Sequence, residues 1–86
     1  MKRYRARPIE IEALLWQGNL DDLPQEWIDQ GLVISFEVDT HALFTKTLQG
    51  PSRAEVGRHY LVPNLDEDEV YPVAVSVFER RYEEIR

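Results

Sequence analysis

The stretch Arg7-Pro8-Ile9-Glu10-Ile11-Glu12-Ala13-Leu14-Leu15-Trp16 decides the fold class. Its side chains alternate between apolar and acidic and then turn wholly apolar, which is the period of an extended strand rather than a helix. Residues 8–16 are therefore expected to form a strand, with Ile9, Ile11, Ala13 and Leu15 on one face and Glu10 and Glu12 on the other. Pro8 suits the first position of that strand, where a missing N–H costs least. At Leu14 and Trp16 the outer face also becomes apolar, so this end requires a cover.

The next element is expected to supply it. Asn19, Asp21 and Asp22 place acceptors and negative charge ahead of a helix, and Pro24 suits its first turn. Residues 24–30 then make about two turns, which Gly31 ends in a left-handed conformation. A helix this short does not survive alone in water, so it depends on docking Trp27 over the strand that carries Trp16.

From Leu32 the period returns to two. Leu32, Ile34, Phe36 and Val38 alternate with Val33, Ser35 and Glu37 as in a half-buried strand. Asp39-Thr40-His41 reads as a tight turn into a strand over residues 42–48, and Gln49-Gly50-Pro51-Ser52 as the next turn. A short strand at residues 53–56 completes an antiparallel meander, broken by Gly57. His59-Tyr60-Leu61-Val62 extends again and stops at Pro63, and residues 64–69 form an exposed acidic loop. Residues 70–73 return to extended chain. Val75, Val77 and Phe78 fit either a strand or one helical turn with Ser76 as its cap, and residues 80–85 read as a final strand. The sum is one α+β domain over residues 1–86. It is a small, mostly antiparallel sheet or partly open barrel of about five to seven short strands with one short helix.

Composition narrows the function classes. A chain of 86 residues with 43% apolar side chains builds one small core. It has no cysteine, which removes disulfides, thiolate metal sites and a cysteine nucleophile and fits a reducing cytoplasm. The basic start, Met1-Lys2-Arg3-Tyr4-Arg5, leads into Glu10 and Glu12 rather than into an apolar run, and no stretch reaches the length of a membrane span. The net charge of −6 is unevenly spread. Lys2, Arg3, Arg5 and Arg7 crowd the start, and Pro8 to Thr45 contains neither Lys nor Arg but eight carboxylates. Such a surface repels phosphate backbones, so neither nucleic acid nor membrane is the expected partner.

Candidate chemistry is sparse. His41 falls in an expected turn and His59 at a strand start, and Ser35, Ser52 and Ser76 lack the context of a nucleophile. Asn64, Asp66 and Asp68 alternate like the first ligands of a calcium loop. Glu69 stands where that loop needs glycine and Val75 where it needs a carboxylate, so no metal is assigned. Trp16, Trp27, Tyr60, Tyr71, Phe78 and Tyr82 read first as core, with a small-molecule pocket as the alternative. Glu10 and Glu12, nearly 7 Å apart along one strand face, give a short row of charge that also fits an acidic mimic of DNA.

The chain resembles a widespread family of small uncharacterised bacteriophage and prophage proteins. Arg7-Pro8-Ile9-Glu10-Ile11-Glu12-Ala13 with Trp16 is similar to that family's Lys-Pro-x-x-Ile-Glu-Ala-x-x-Trp block, and Thr47-Leu48-Gln49-Gly50 to its Thr-Leu-Glu-Gly turn. Gly57, Tyr60, Tyr71-Pro72 and Phe78-Glu79-Arg80-Arg81-Tyr82-Glu83 match the remainder. Departures fall at Arg58, at the extra His59, in the acidic loop and at Val75-Ser76. The family brings no assigned catalytic residues and no cofactor. The resemblance implies an accessory protein acting inside a bacterium. Combined with the composition, the expectation is a non-enzymatic protein that binds a host or phage protein through Asp66, Glu67, Asp68, Glu69, Tyr71 and Tyr82, with a homodimer through a sheet edge as a further possibility. The alternatives are a small-molecule-binding or sequestering module and an acidic DNA-mimic inhibitor of host defence.

Overall fold

The computed structural model describes residues 2–3 and 11–83. Among them are six strands, two α-helices and two 3-10 turns, in the order β1 (Leu14–Leu15), a 3-10 turn (Leu20–Asp22), α1 (Gln25–Asp29), β2 (Val33–Phe36), β3 (Leu43–Thr47), β4 (Gly50–Ala54), β5 (His59–Asn64), a 3-10 turn (Leu65–Glu67), β6 (Glu69–Ala74) and α2 (Val75–Arg81). The strands form two antiparallel three-stranded sheets, ordered β1-β5-β6 and β2-β3-β4. The expected α+β class holds, with two facing sheets that do not close into a barrel. No helix among the described residues is long and apolar enough to cross a membrane.

The core lies between the sheets and under α1. Trp16, Leu23, Trp27, Leu32, Leu43, Ala54, Leu61 and Val70 are its buried members. Trp27 and Trp16, expected to pack together, are both buried members of this cluster, although Trp16 itself lies just beyond β1. The end of α1 explains how so short a helix holds. Gly31 takes φ +73, its N–H bonds the Ile28 carbonyl at 3.0 Å, and the Leu32 N–H bonds the Trp27 carbonyl at 2.9 Å. This is a Schellman closure, with Leu32 and Trp27 making its usual apolar contact inside the core.

Trp16 fixes the other side. It is fully buried, its indole N–H donates to the His41 carbonyl at 2.8 Å, and Phe36 meets its ring edge-on at 6.4 Å. Its backbone N–H bonds His59 and its carbonyl accepts from Gly57. The chain leaves Trp16 through Gly18 at φ +90, where a Cβ would stand 3.1 Å from a Val56 methyl and 3.2 Å from the His41 Cβ.

Several boundaries differ from the sequence reading. The first strand was expected over residues 8–16, and only Leu14–Leu15 pair; residues 8–10 lie outside the described set, and Ile11 to Ala13 are not strand. The reason is Pro63. Leu14 pairs with Leu61, so two residues earlier Glu12 would face Pro63. The Trp16–His59 bond puts the hydrogen-bonding groups of residues 59, 61 and 63 on the β1 side, where Pro63 has no N–H to give. The ladder stops there. Pro63 does not end β5, because on the β6 side it sits in a position that makes no ladder bond.

In β2 the expected alternation breaks at Ile34, an extra residue between the Val33–Thr45 and Ser35–Phe44 pairs. This bulge leaves Ile34 exposed while Val33 and Phe36 both pack on the core. The turn expected at residues 49–52 falls at Leu48 and Gln49, and β4 begins at Gly50. Residues 80–85 were expected as strand. Residues 80 and 81 are instead the end of α2, residues 82 and 83 lie outside any element, and residues 84 and 85 are outside the described set. Ser76 lies inside α2, and Ala74 stands at its N-cap without a side-chain bond. Helical spacing brings Tyr82 onto Phe78, which stacks in turn on Tyr60, with ring centroids 4.7 and 4.0 Å apart.

Thr45 ties the sheets together. Its buried hydroxyl donates to the Val70 carbonyl at 2.6 Å. Val70 is opposite Pro63, so its carbonyl points away from β5 and has no ladder partner there. Thr45→Val keeps the shape and orphans that carbonyl, and is expected to lower the unfolding free energy by about 1–3 kcal/mol in urea titration. Gly18→Ala is expected to cost about 1–3 kcal/mol from its backbone conformation and crowding. Gly31→Ala, with nothing within 4 Å of its Cβ, is expected to cost less in the same assay. Equal losses at the two glycines would refute the crowding argument.

Candidate functional site

The early end of β1 opens a groove. Beyond Leu14 the chain carrying Ile11, Glu12 and Ala13 separates from β5, and Pro63 and Leu65 face the gap. Pro24 and Trp27 close the opposite wall. The resulting cavity is about 440 Å3 and open to solvent, a volume in the range of small-ligand and side-chain pockets. Its lining is mainly apolar, and its charged members are all carboxylates: Glu12, Asp22 and Glu26. All three are exposed, and none forms an ion pair with another described residue. Local structure explains their placement. Asn19 caps the 3-10 turn by accepting the Asp21 N–H at 2.9 Å, and that turn carries Asp22 to the rim. Glu26 lies in the first turn of α1, where negative charge is favoured.

A second cavity, about 330 Å3, is polar. Thr47, Gln49, Ser52, Glu69 and Tyr71 contribute to its lining. Glu69 was expected in an exposed loop and is instead 1% exposed, at the start of β6 opposite Asn64. Its carboxylate accepts the Leu48 N–H at 2.7 Å and the Tyr71 hydroxyl. A buried carboxylate survives only with such donors.

The six residues expected to form one contact surface therefore occupy three places. Asp66, Glu67 and Asp68 are exposed on or beside the second 3-10 turn, directly after the groove residue Leu65. Asp68 takes φ +53 and turns the chain into β6. Glu69 and Tyr71 belong to the polar cavity. Tyr82 is the exposed end of the ring stack with Phe78 and Tyr60. The groove itself was not found from sequence. Two signals pointed to it: the long run without Lys or Arg, and a proline inside a run otherwise rich in strand formers.

The histidines have structural contacts. His59 Nδ1 accepts the Glu55 N–H at 2.9 Å, and His41 holds φ +60 in the turn whose carbonyl receives the Trp16 indole. Among the described residues no three His, Asp or Glu side chains gather as a metal site. Glu12 lies outside any strand and Glu10 outside the described residues, so a strand-borne row of the two is not part of this structure. Arg53 pairs with Glu37 and lies over the Phe44 ring, 5.6 Å from its centroid, on the exposed face of β4.

Compared with protein-family models, characterised proteins and solved structures, the chain gives no significant match.

The Tyr71 hydroxyl is held by Glu69, and this hydrogen bond, with desolvation and the charge of Glu69, raises the Tyr71 pKa above its ordinary value. In the unfolded chain a tyrosine ionises near about 10. The pair's stabilisation is thus whole below that pH and is lost as pH rises through the higher folded value of Tyr71. Tyr71→Phe is expected to remove one late phenolate step from an ultraviolet titration and to flatten the alkaline fall in melting temperature. An unchanged alkaline limb would show that this pair does not govern it.

Proposed function

We propose that this chain is a non-enzymatic accessory protein of phage or prophage type that works by holding a segment of another protein, from host or phage, in the groove beside Pro63. The observation that carries the reading is that groove: an apolar trough of about 440 Å3 with a charged rim, left open by a strand that ends early. Apolar floors with polar rims are the anatomy of protein contact surfaces. The 3-10 turn at Leu65–Glu67 supports the same assignment, since it contributes Leu65 to the groove and continues into the acidic residues expected at the contact. The phage setting and a bacterial cytoplasm rest on the sequence resemblance, which spans the N-terminal block, the central turn and the C-terminal aromatics.

The competing reading is a module that sequesters a small ligand, for which the groove volume is also adequate. The exposed charged rim favours the protein reading, because a small apolar ligand leaves those carboxylates unused.

A photo-crosslinking side chain introduced at Ala13, exposed in the groove wall, is expected to give discrete protein adducts in bacterial cells expressing the chain. The same group at Leu48, 74% exposed on the β3–β4 turn, is expected to give none of these adducts. No adduct from position 13, or the same adducts from both, would overturn the assignment. A large thermal stabilisation by a metabolite, without adducts, would favour the ligand reading.

A further inference from the structure

We infer that the groove takes a basic segment, a stretch of polypeptide in which Lys or Arg flanks a large apolar side chain. The inference rests on the protein-binding reading above and specifies the partner's chemistry. Glu12, Asp22 and Glu26 carry charge of one sign around an apolar floor, and among the described residues none that lines the groove is basic. Asp66, Glu67 and Asp68 continue the same sign from the Leu65 end of the groove. The run from Pro8 to Thr45, which holds the first three, contains no Lys or Arg. Two carboxylates beside the β2-β3-β4 sheet are neutralised: Arg53 meets Glu37 and Glu55, and Arg58 meets Glu55. The rim carboxylates have no such pairing among the described residues.

Each of these groups alone contributes little in water. Carried around one groove, they sum to a field that attracts cations and repels acidic segments, screened in physiological salt over about 8 Å. The apolar floor supplies the other half of recognition. Ile11, Ala13, Leu14, Pro24, Pro63 and Leu65 offer no hydrogen-bonding side chain, so an apolar central group of the partner suits this floor. Charge steers and orients; the buried side chain holds.

The probe is the blocked hexapeptide Lys-Arg-Leu-Trp-Arg-Lys carrying a fluorophore, titrated with the full chain by anisotropy. It is expected to bind saturably and to weaken as salt rises from about 50 to about 300 mM. Binding is expected to fall about tenfold with the triple variant Glu12→Gln, Asp22→Asn, Glu26→Gln, whose positions are exposed and whose melting curve checks the fold. Ala13→Trp, which fills the trough, is expected to weaken binding to a similar degree. Two control peptides complete the test, one with Glu in place of the basic residues and one with Ser in place of Leu and Trp; both are expected to bind at least about tenfold more weakly. The inference is overturned if the acidic peptide binds as well as the basic one, if no peptide binds, or if the triple variant binds the basic peptide unchanged. Crosslinking from position 13 in cells reports separately on whether the groove holds any protein. Adducts that persist without a charge preference would leave the protein-binding reading standing and remove only this one.

Discussion

The Glu69 carboxylate is the constraint on which the arrangement of the two sheets turns. It is buried at the start of β6, holds the β3–β4 turn through the Leu48 N–H, and takes the Tyr71 hydroxyl on its other oxygen. One residue on, the Val70 carbonyl receives the Thr45 hydroxyl. Two adjacent residues of one sheet are thus bonded to two points of the other. Apolar contact alone permits sliding, since it has no direction. These polar ties do not, because any shift strands a buried acceptor in a medium that penalises it by several kcal/mol at the order-of-magnitude level. No buried side-chain nitrogen or oxygen among the described residues lacks a partner.

Proline placement connects this frame to the groove. Pro63 is tolerated in β5 because its missing N–H faces away from β6, and the same orientation denies β1 its next rung. The shortness of β1 is therefore a property of β5. The gap it leaves is walled by α1, which is stable only because Trp27 is sunk in the core and Leu32 closes the helix end. Frame, core and groove depend on each other in that order.

Periodicity made much of this legible. The α1 segment, its glycine stop, the meander and the docking of Trp27 with Trp16 follow from spacing and capping chemistry in residues 19–54. Three features did not. The bulge at Ile34 is invisible because an extra residue in a strand looks like one more apolar position. The burial of Glu69 is masked by the three carboxylates that precede it, since only a tertiary donor such as Leu48 distinguishes it from Glu67. For the helix at Val75–Arg81, the sequence leaves strand and helical turn open over residues 75–78, whose β-branched and aromatic side chains favour extended chain locally, and it reads residues 80 and 81 as strand. Phe78 stacks between Tyr60 and Tyr82 in the helical arrangement. The groove was the hardest to foresee, because it arises from a bond that fails to form.

The outer rows of the two sheets carry a final consequence. Pro72 shares the outward orientation of Val70, whose carbonyl Thr45 already occupies. Pro51 faces away from β3 as well, since the Lys46 N–H is turned toward Leu32. A neighbouring molecule seeking to add its backbone to β6 or β4 meets missing donors, and at β2 it meets a kink. These three interruptions remove backbone donors or regular spacing from those edges, the features that a strand needs to template the stacking of further copies into fibrils.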